Sequence, residues 1–544
     1  MNLLDRIERL GNALPDPITL FAFGALLVIL ASEIGVRANW SVTKPVPLPI
    51  ETLVRDESGK TILNPITNEA LRVPEIEPST GKAKVEVVEV KIHAKSLLAA
   101  DGLYFAISSL VENFKNFPPL AIVLVGMLGI GVADRSGLIS AVLKVLLLRI
   151  HVRFLTPTVF LVGVVSSITL DAGYVVLPPI VAALYAALGR SPVAGLAAVF
   201  AGVSAGFSAN LTVTSLDTIL AGLSQAGAQI VEPNYQVSAT ANLWFMIVST
   251  LLLTGTGWAV SAWWVEPRLA SKPEPPGPRK GIEKTKDFSL LPIEKKGLAV
   301  ATATSLACLL VIILFVWIPG APLHGEGERF PRWITAVVPL LFISFFIPGT
   351  VYGFVTGLLK TDRDVAKILG DTMASMGPYI AMAFFAAQFI EYFKYSKLGE
   401  IMAISGGQML SSAALPTVFL IIAFVFIVSL GNLLVGSMSA KYAFFAPVFV
   451  PMFMQIGISP ELTQAAYRVG DSVTNVITPL NPYIIILLTA LRVYVPNAGI
   501  GTLVALMIPY SIAFAFVWTL LLIIWIFLGV SLGPEGPLFV KVNP

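Results

Sequence analysis

Hydrophobic residues fill this chain in long stretches that contain no charged residue. These stretches cover residues 191–216, 233–265, 297–325, 333–359, 372–390, 401–440, 442–460, 472–491 and 493–534. About 20 apolar residues are enough for one helix to cross a bilayer, so the pattern predicts an all-α polytopic membrane protein. The stretches 401–440 and 493–534 are about twice that length. Each of these two therefore predicts a turn back inside the membrane, a strong tilt or an uncharged bend.

Two polar inserts hold a large share of the charged residues. Residues 39–95 contain 16 of them and residues 268–296 contain 12. Val85 to Ile92 partly alternates between apolar and charged residues, which predicts a small β-hairpin or ribbon in the first insert. The second insert is proline-rich with excess Lys and Arg, which is typical of a cytoplasmic linker. With the N-terminus in the cytoplasm, the first insert is extracytoplasmic. We expect residues 1–38 to form an uncleaved spanning helix, with a cleaved signal peptide as the alternative.

Polar and helix-breaking residues interrupt the apolar segments in the same order in both halves. In the first half, an apolar run leads into Ser166–Gly173, and a later segment breaks at Gly206–Asn210. In the second half, a run leads into Gly431–Tyr442, and a later segment breaks at Gly470–Asn475. This order predicts two re-entrant hairpins, each followed by a discontinuous helix, in an inverted repeat. Matched interruptions of this kind indicate the binding site of a secondary transporter, and the alternative is ordinary helix kinks.

Carboxylates and amides at these interruptions are the candidate cation ligands, because hard cations prefer oxygen and a charge inside the membrane is costly. In the second half the sodium ligands are predicted to be Asn432, Asp471 and Asn475. In the first half a second, pseudo-symmetric site is predicted from Ser166, Ser167, Asp171 and Asn210. Proton coupling is the alternative, and it requires Asp171 or Asp471 to titrate.

Arg468 lies three residues before Asp471, so the two share a helix face. We expect Arg468 to fix the Asp471 carboxylate or to meet an anionic substrate, with a structural ion pair as the alternative. Lys441 either closes the tip of the second hairpin or extends to the membrane interface.

Composition excludes several classes of protein. Only 13% of the 544 residues are charged, against about 25% in soluble proteins. The net charge of +3 is too small for a nucleic-acid binder. The single cysteine, Cys308, excludes a disulfide framework. No hydrolase or nucleotide-binding motif occurs, so we expect no enzyme and no cofactor beyond a coupling ion.

Four motifs, Leu170–Tyr174, Gly431–Leu434, Gly436–Lys441 and Tyr467–Ser472, resemble those of the p-aminobenzoyl-glutamate transporter (AbgT) family. The resemblance covers nearly the whole chain. It implies a homodimer in the bacterial inner membrane, with about nine spanning helices and two hairpins per subunit, and a fold related to divalent-anion/sodium symporters. The functional positions that it implies are Asp171, Asn432, Ser439, Pro460, Arg468, Asp471 and Pro479. Tyr442 stands where the family often has Trp, and the resemblance implies that Ser439, Tyr442 and Arg468 contact the substrate.

The resemblance implies p-aminobenzoyl-glutamate as cargo and, for some members, efflux of sulfonamide drugs. We therefore expect a cation-coupled secondary transporter of aryl carboxylates or sulfonamide antimetabolites. The alternatives are a sodium-coupled dicarboxylate-type symporter and, in another class, an ion channel. The hairpin-containing core, 155–228 and 413–493, is expected to move against scaffold helices in an elevator-type motion. The scaffold helices are predicted in residues 96–154, 229–267, 297–412 and 494–544.

Overall fold

The computed structural model describes residues 17–49, 51–53, 61, 70, 72–74, 85–148, 154–169, 172–270, 290–325, 332–433, 435–478, 481 and 483–541. Helices account for most of these residues, so the all-α class is confirmed. The linker residues 271–289 lie outside the described part of the chain, as do residues 1–16.

The helices before the second insert belong to the first repeat and its flanking segments. In chain order they are α1 (Pro17–Arg37), α2 (Ala100–Ser108), α3 (Leu110–Lys115), α4 (Pro118–Arg135), α5 (Leu138–Leu148), α6 (Leu155–Val165), α7 (Ala172–Ala187), α8 (Pro192–Ala205), α9 (Ser215–Ala228), α10 (Leu243–Val260) and α11 (Glu266–Ala270). A 3₁₀ turn, Ser166–Thr169, follows α6, and a π-helical turn, Ser261–Val265, joins α10 to α11.

The helices after the linker belong to the second repeat and its flanking segments. They are α12 (Pro292–Trp317), α13 (Arg332–Thr335), α14 (Val337–Thr356), α15 (Asp362–Ser375), α16 (Gly377–Tyr395), α17 (Leu398–Ser412), α18 (Thr417–Asn432), α19 (Met438–Met454), α20 (Pro460–Thr474), α21 (Ile484–Tyr494) and α22 (Ile500–Leu528).

Six of the described helical segments are long and apolar enough to cross a membrane, or seven if the bent pair α15 and α16 counts as one span. Several others are shorter: α8 has 14 residues, about 21 Å of helix, against a hydrocarbon core of about 30 Å. Helices of that length suit half-spans and hairpin arms. The total of about nine spans stays a prediction.

The two longest uncharged stretches differ in structure. Residues 401–440 contain an uncharged bend: α17 ends at Ser412, Ala414 has a positive φ of 48°, and α18 begins at Thr417. Residues 493–534 contain one continuous helix of 29 residues, α22. At about 43 Å this helix is long enough to cross the bilayer with a strong tilt.

The first insert contains the predicted β-ribbon. Strand β1 (Ser41–Pro49) pairs antiparallel with β4 (Val85–His93), with Ser41 opposite His93 and Pro49 opposite Val85. Between them, β2 (Glu51–Leu53) pairs antiparallel with β3 (Arg72–Pro74). The ribbon is attached to the helices through Lys44, whose Nζ lies 3.2 Å from Glu400 Oε1 at the start of α17.

Both predicted discontinuous helices are present, and they lie at the centre of the molecule. The first breaks between α8 and α9, and the second between α20 and α21. Every residue from Val193 to Ala205 and from Pro460 to Val473 is buried. The helices pack in corresponding pairs: α6 lies against α8 and α18 against α20, while α9 of the first repeat lies against α19 of the second.

Small residues let α4 and α14 approach closely outside this centre. A Cβ on Gly129 would lie 2.5 Å from the carbonyl oxygen of Phe342, and one on Gly349 would lie 2.7 Å from Ala133 Cα. Such contacts are typical of membrane helices that pack through glycine.

We expect Gly129→Ala to destabilise the protein by about 1–3 kcal/mol, because the added methyl group would force α4 away from the α14 backbone. Gly370→Ala in α15 is the matched control, since a Cβ there meets nothing within 4 Å. Thermal unfolding of both purified variants would check this. Equal midpoints for Gly129→Ala and the wild type would contradict the described packing.

Candidate functional site

The two helix breaks meet in the interior. Ser208, in the break after α8, donates its backbone N–H to Ser472 Oγ near the end of α20, at 3.3 Å. Irregular backbone at membrane depth is tolerated where protein buries it or where it lines a cavity. The contact therefore places the interruptions of both repeats in one polar centre.

Asn432 joins the C-terminus of α18 to the end of α20. Its Nδ2 donates to the Asp471 carbonyl at 2.7 Å and to Asn475 Oδ1 at 2.9 Å. The structure thus brings the three predicted second-half cation ligands into one network. The last carbonyls of a helix have no partner within that helix, and the Asn432 amide satisfies one of them here.

Lys441 supplies the positive charge opposite Asp471. Its Nζ lies 2.6 Å from Asp471 Oδ1 and donates to Asn432 Oδ1, also at 2.6 Å. The Lys441 side chain is 2% exposed and that of Asp471 is 0% exposed. Tyr467 donates its hydroxyl to the Met438 carbonyl at 2.6 Å and lies 3.3 Å from Asp471 Oδ1. The interpretation that Lys441 extends to the interface is therefore wrong for this structure.

Arg468 pairs with Asp217 of the first repeat. Its Nη2 lies 2.6 Å from Asp217 Oδ1, and its Nη1 donates to the Ser208 carbonyl at 3.3 Å. Asp217 also accepts the backbone N–H of Thr214 at 2.6 Å and so caps α9. The expectation that Arg468 fixes Asp471 is wrong, because Lys441 already neutralises that carboxylate and the guanidinium reaches across to α9.

Ser167 and Asn210 form the first-repeat counterpart of the Asn432–Asn475 contact. Asn210 Nδ2 donates to Ser167 Oγ at 2.9 Å, and in both repeats the bonded residues are 43 positions apart. Ser166 is buried beside them and donates to the Gly163 carbonyl at 2.6 Å. The equal spacing supports the repeat inferred from the sequence.

Two of the predicted substrate contacts, Ser439 and Tyr442, lie in the first turns of α19. Tyr442 is fully buried, its hydroxyl lies 2.6 Å from Ser224 Oγ, and its ring centroid lies 4.2 Å from that of Tyr467. Ser439 is half-buried one turn earlier, and Pro460 is the buried first residue of α20. Tyr442 and Tyr467 therefore form a buried aromatic pair beside Asp471.

Two predicted site residues, Asp171 and Pro479, lie outside the described residues. Their roles stay predictions, and the first-repeat cation site is described only through Ser166, Ser167 and Asn210.

Four buried polar side chains of this centre were not assigned to it from the sequence. They are Asp217, Lys441, Glu461 and Tyr467. The first three each end a long uncharged stretch, so their position inside apolar sequence was a usable signal. Glu461 accepts the Tyr235 hydroxyl at 3.0 Å. Tyr467 begins one of the motifs that resemble the family, but its position in the sequence does not predict its hydrogen bond to the Met438 carbonyl.

We expect Asp217→Asn to lower stability by about 3–5 kcal/mol, because it leaves the Arg468 guanidinium buried without a counter-charge. The double variant Asp217→Asn/Arg468→Gln should recover much of that loss. Glu112→Gln, which breaks the exposed pair with Lys115, should leave the unfolding midpoint unchanged. Thermal melts of the three variants would measure this, and a wild-type midpoint for Asp217→Asn would refute the pairing.

Comparison with known proteins identifies the family of this chain. The model of the AbgT putative transporter family matches residues 2–540. The p-aminobenzoyl-glutamate transport protein of Escherichia coli is 30% identical over 532 residues, covering 97% of this chain and 95% of that protein. The crystal structure of the Alcanivorax borkumensis YdaH transporter superposes with a TM-score of 0.82 at 39% identity, covering 96% of this chain and 100% of that one.

Neisseria gonorrhoeae MtrF, described with a class of antimetabolite efflux pumps, superposes with a TM-score of 0.83 at 36% identity, covering 97% of this chain and 98% of that one. Family model, curated relative and solved structures all span nearly the whole chain, including both repeats and their breaks. This multi-pass membrane protein therefore belongs to the AbgT transporter family.

Proposed function

We propose that this protein is a secondary active transporter of p-aminobenzoyl-glutamate-like aryl carboxylates and sulfonamide antimetabolites, driven by a cation gradient. We further propose that it acts as a homodimer in the bacterial inner membrane. The names of the Escherichia coli relative and of the MtrF class support the choice of substrate. The motifs that resemble those of the AbgT family support the proposed homodimer and its proposed location in the bacterial inner membrane.

One observation carries the proposal: a polar helix lies fully buried where two helix breaks meet. α20 contains Glu461, Arg468 and Asp471, and its residues from Pro460 to Val473 are all buried. Burying charges is costly unless they are paired. Intramembrane charges at interrupted helices mark substrate and ion pathways, so we assign this centre to transport.

Arg468 is the group best suited to an anionic substrate. Its Nε is buried and has no hydrogen-bond partner among the described residues. A buried N–H without a partner costs free energy, and a carboxylate oxygen would satisfy it. Because Asp217 holds the other edge of the guanidinium, Arg468 presents a fixed donor toward the substrate.

Aromatic residues next to Arg468 suit the aryl part of such a substrate. The rings of Tyr442 and Tyr467 lie 4.2 Å apart between centroids, and stacking of a further ring on such a pair is favourable. An aminobenzoyl amide with a carboxylate could place that carboxylate on Arg468 and its aryl ring beside these tyrosines, so both parts of the substrate would be bound.

Movement of the core is the remaining part of the proposal. The contacts of α9 with α19 and of Arg468 with Asp217 tie the two repeats together. We therefore propose that 155–228 and 413–493 move as one body against the scaffold helices, carrying the substrate across.

We expect proteoliposomes with the wild-type protein to accumulate labelled p-aminobenzoyl-glutamate under an imposed sodium or proton gradient, each tested alone. Arg468→Gln and Asp471→Asn should lower the rate at least about tenfold, because each removes a charged partner from the buried centre. Lys394→Gln, which breaks a pair with Glu391 outside that centre, is the matched control.

Three results would reject the proposal. They are wild-type rates in both site variants, the absence of gradient-driven accumulation by the wild type, and ohmic current in place of saturable uptake. The last would favour a channel.

A further inference from the structure

The ammonium group of Lys441 lies where a coupling cation would bind. Two oxygens, Asp471 Oδ1 and Asn432 Oδ1, each lie 2.6 Å from Lys441 Nζ. A carboxylate and a neutral amide oxygen converging on one point are the ligand types that hard cations select. The residues present therefore fit a sodium ion, which would supply a positive charge opposite Asp471. In this structure the Lys441 ammonium group contacts the same two oxygens.

The position of Lys441 on its own helix does not favour a positive charge. Lys441 lies in the first turn of α19, at the end where the helix dipole is positive. It is also buried, where an unpaired ammonium is costly. Its contacts with Asp471 and Asn432 therefore keep it in place.

No other described basic group neutralises Asp471. Arg468, the nearest along the same helix, is committed to Asp217 on α9. The ion pair of Asp471 described by the structure is with Lys441 alone. If Lys441 moved away, the carboxylate would be left buried without a counter-charge, and a cation from solution would be the natural replacement.

We propose that Lys441 is a tethered competitor of the coupling cation: it holds Asp471 and Asn432 when no cation is bound, and must leave for one to bind. This inference rests on the proposed cation-coupled function. Only the fraction of protein with Lys441 displaced can bind the ion, so the apparent sodium affinity of the wild type is reduced by that fraction. Lys441 thus links binding of the cation to movement of the α19 tip against α18 and α20.

The decisive test is sodium binding by the purified full-length protein, which needs no transport. In the titrations, sodium chloride would replace choline chloride at constant ionic strength. Binding would be measured by calorimetry and by the shift in unfolding midpoint. Lys441→Met keeps the length of the side chain without the charge, so we expect its sodium affinity to rise at least about tenfold. Lys441→Met/Asp471→Asn should lose that binding, and Lys394→Gln should match the wild type.

Lys441→Arg keeps the positive charge and covers the case in which the neutral variant does not fold. Its sodium affinity should equal or fall below that of the wild type, and a higher affinity would overturn the proposal. The proposal is also overturned if Lys441→Met binds sodium no more tightly than the wild type, or if neither binds. Failure of the wild type to accumulate substrate would instead reject the transport function, so the two failures are distinguishable.

Discussion

The cost of burying charge is the constraint on which the rest of this structure depends. α20 carries three charged side chains, Glu461, Arg468 and Asp471, into a fully buried position. Buried charges are costly unless they are paired, and two of them, Arg468 and Asp471, find an opposite charge there. One partner, Lys441, comes from the hairpin of the same repeat, and the other, Asp217, comes from the first repeat. These two pairs therefore determine which helices meet at the centre.

The helix breaks follow from the same constraint. Interrupted backbone exposes polar groups that lipid cannot satisfy, so the breaks lie inside the protein and bond to each other through Ser208 and Ser472. Asn432 donates a hydrogen bond to Asn475 in the second repeat, and Asn210 donates one to Ser167 at the equivalent position in the first repeat. In this centre, polar and charged side chains are bound to other groups of the protein. A substrate or an ion can replace one of these partners, as an alternating-access transporter requires.

Much of the fold and part of the site were predictable from the sequence. Long uncharged stretches indicate membrane helices, and residues that break helices indicate where those helices are interrupted. α8 ends where the sequence predicts, at Ala205. α20 stays helical up to Thr474, so its break begins only at Asn475, the last residue of the predicted interruption. The ribbon from Val85 to His93 also follows from its alternation. The partner of Arg468 was not predictable, because a helix face at i and i+3 favours Asp471 equally well and Asp217 is distant in sequence.

The sequence by itself determined that this is a membrane protein of two repeats, and it placed Asn432, Arg468 and Asp471 at the second break. Only the tertiary structure decided how these charges pair. Lys441 and Asp217 each stand alone within apolar sequence, and their partners are set by how α9, α19 and α20 pack. Local periodicity reports which residues share a helix face, whereas pairing of buried charges depends on distances between helices, and those exist only once the chain is folded.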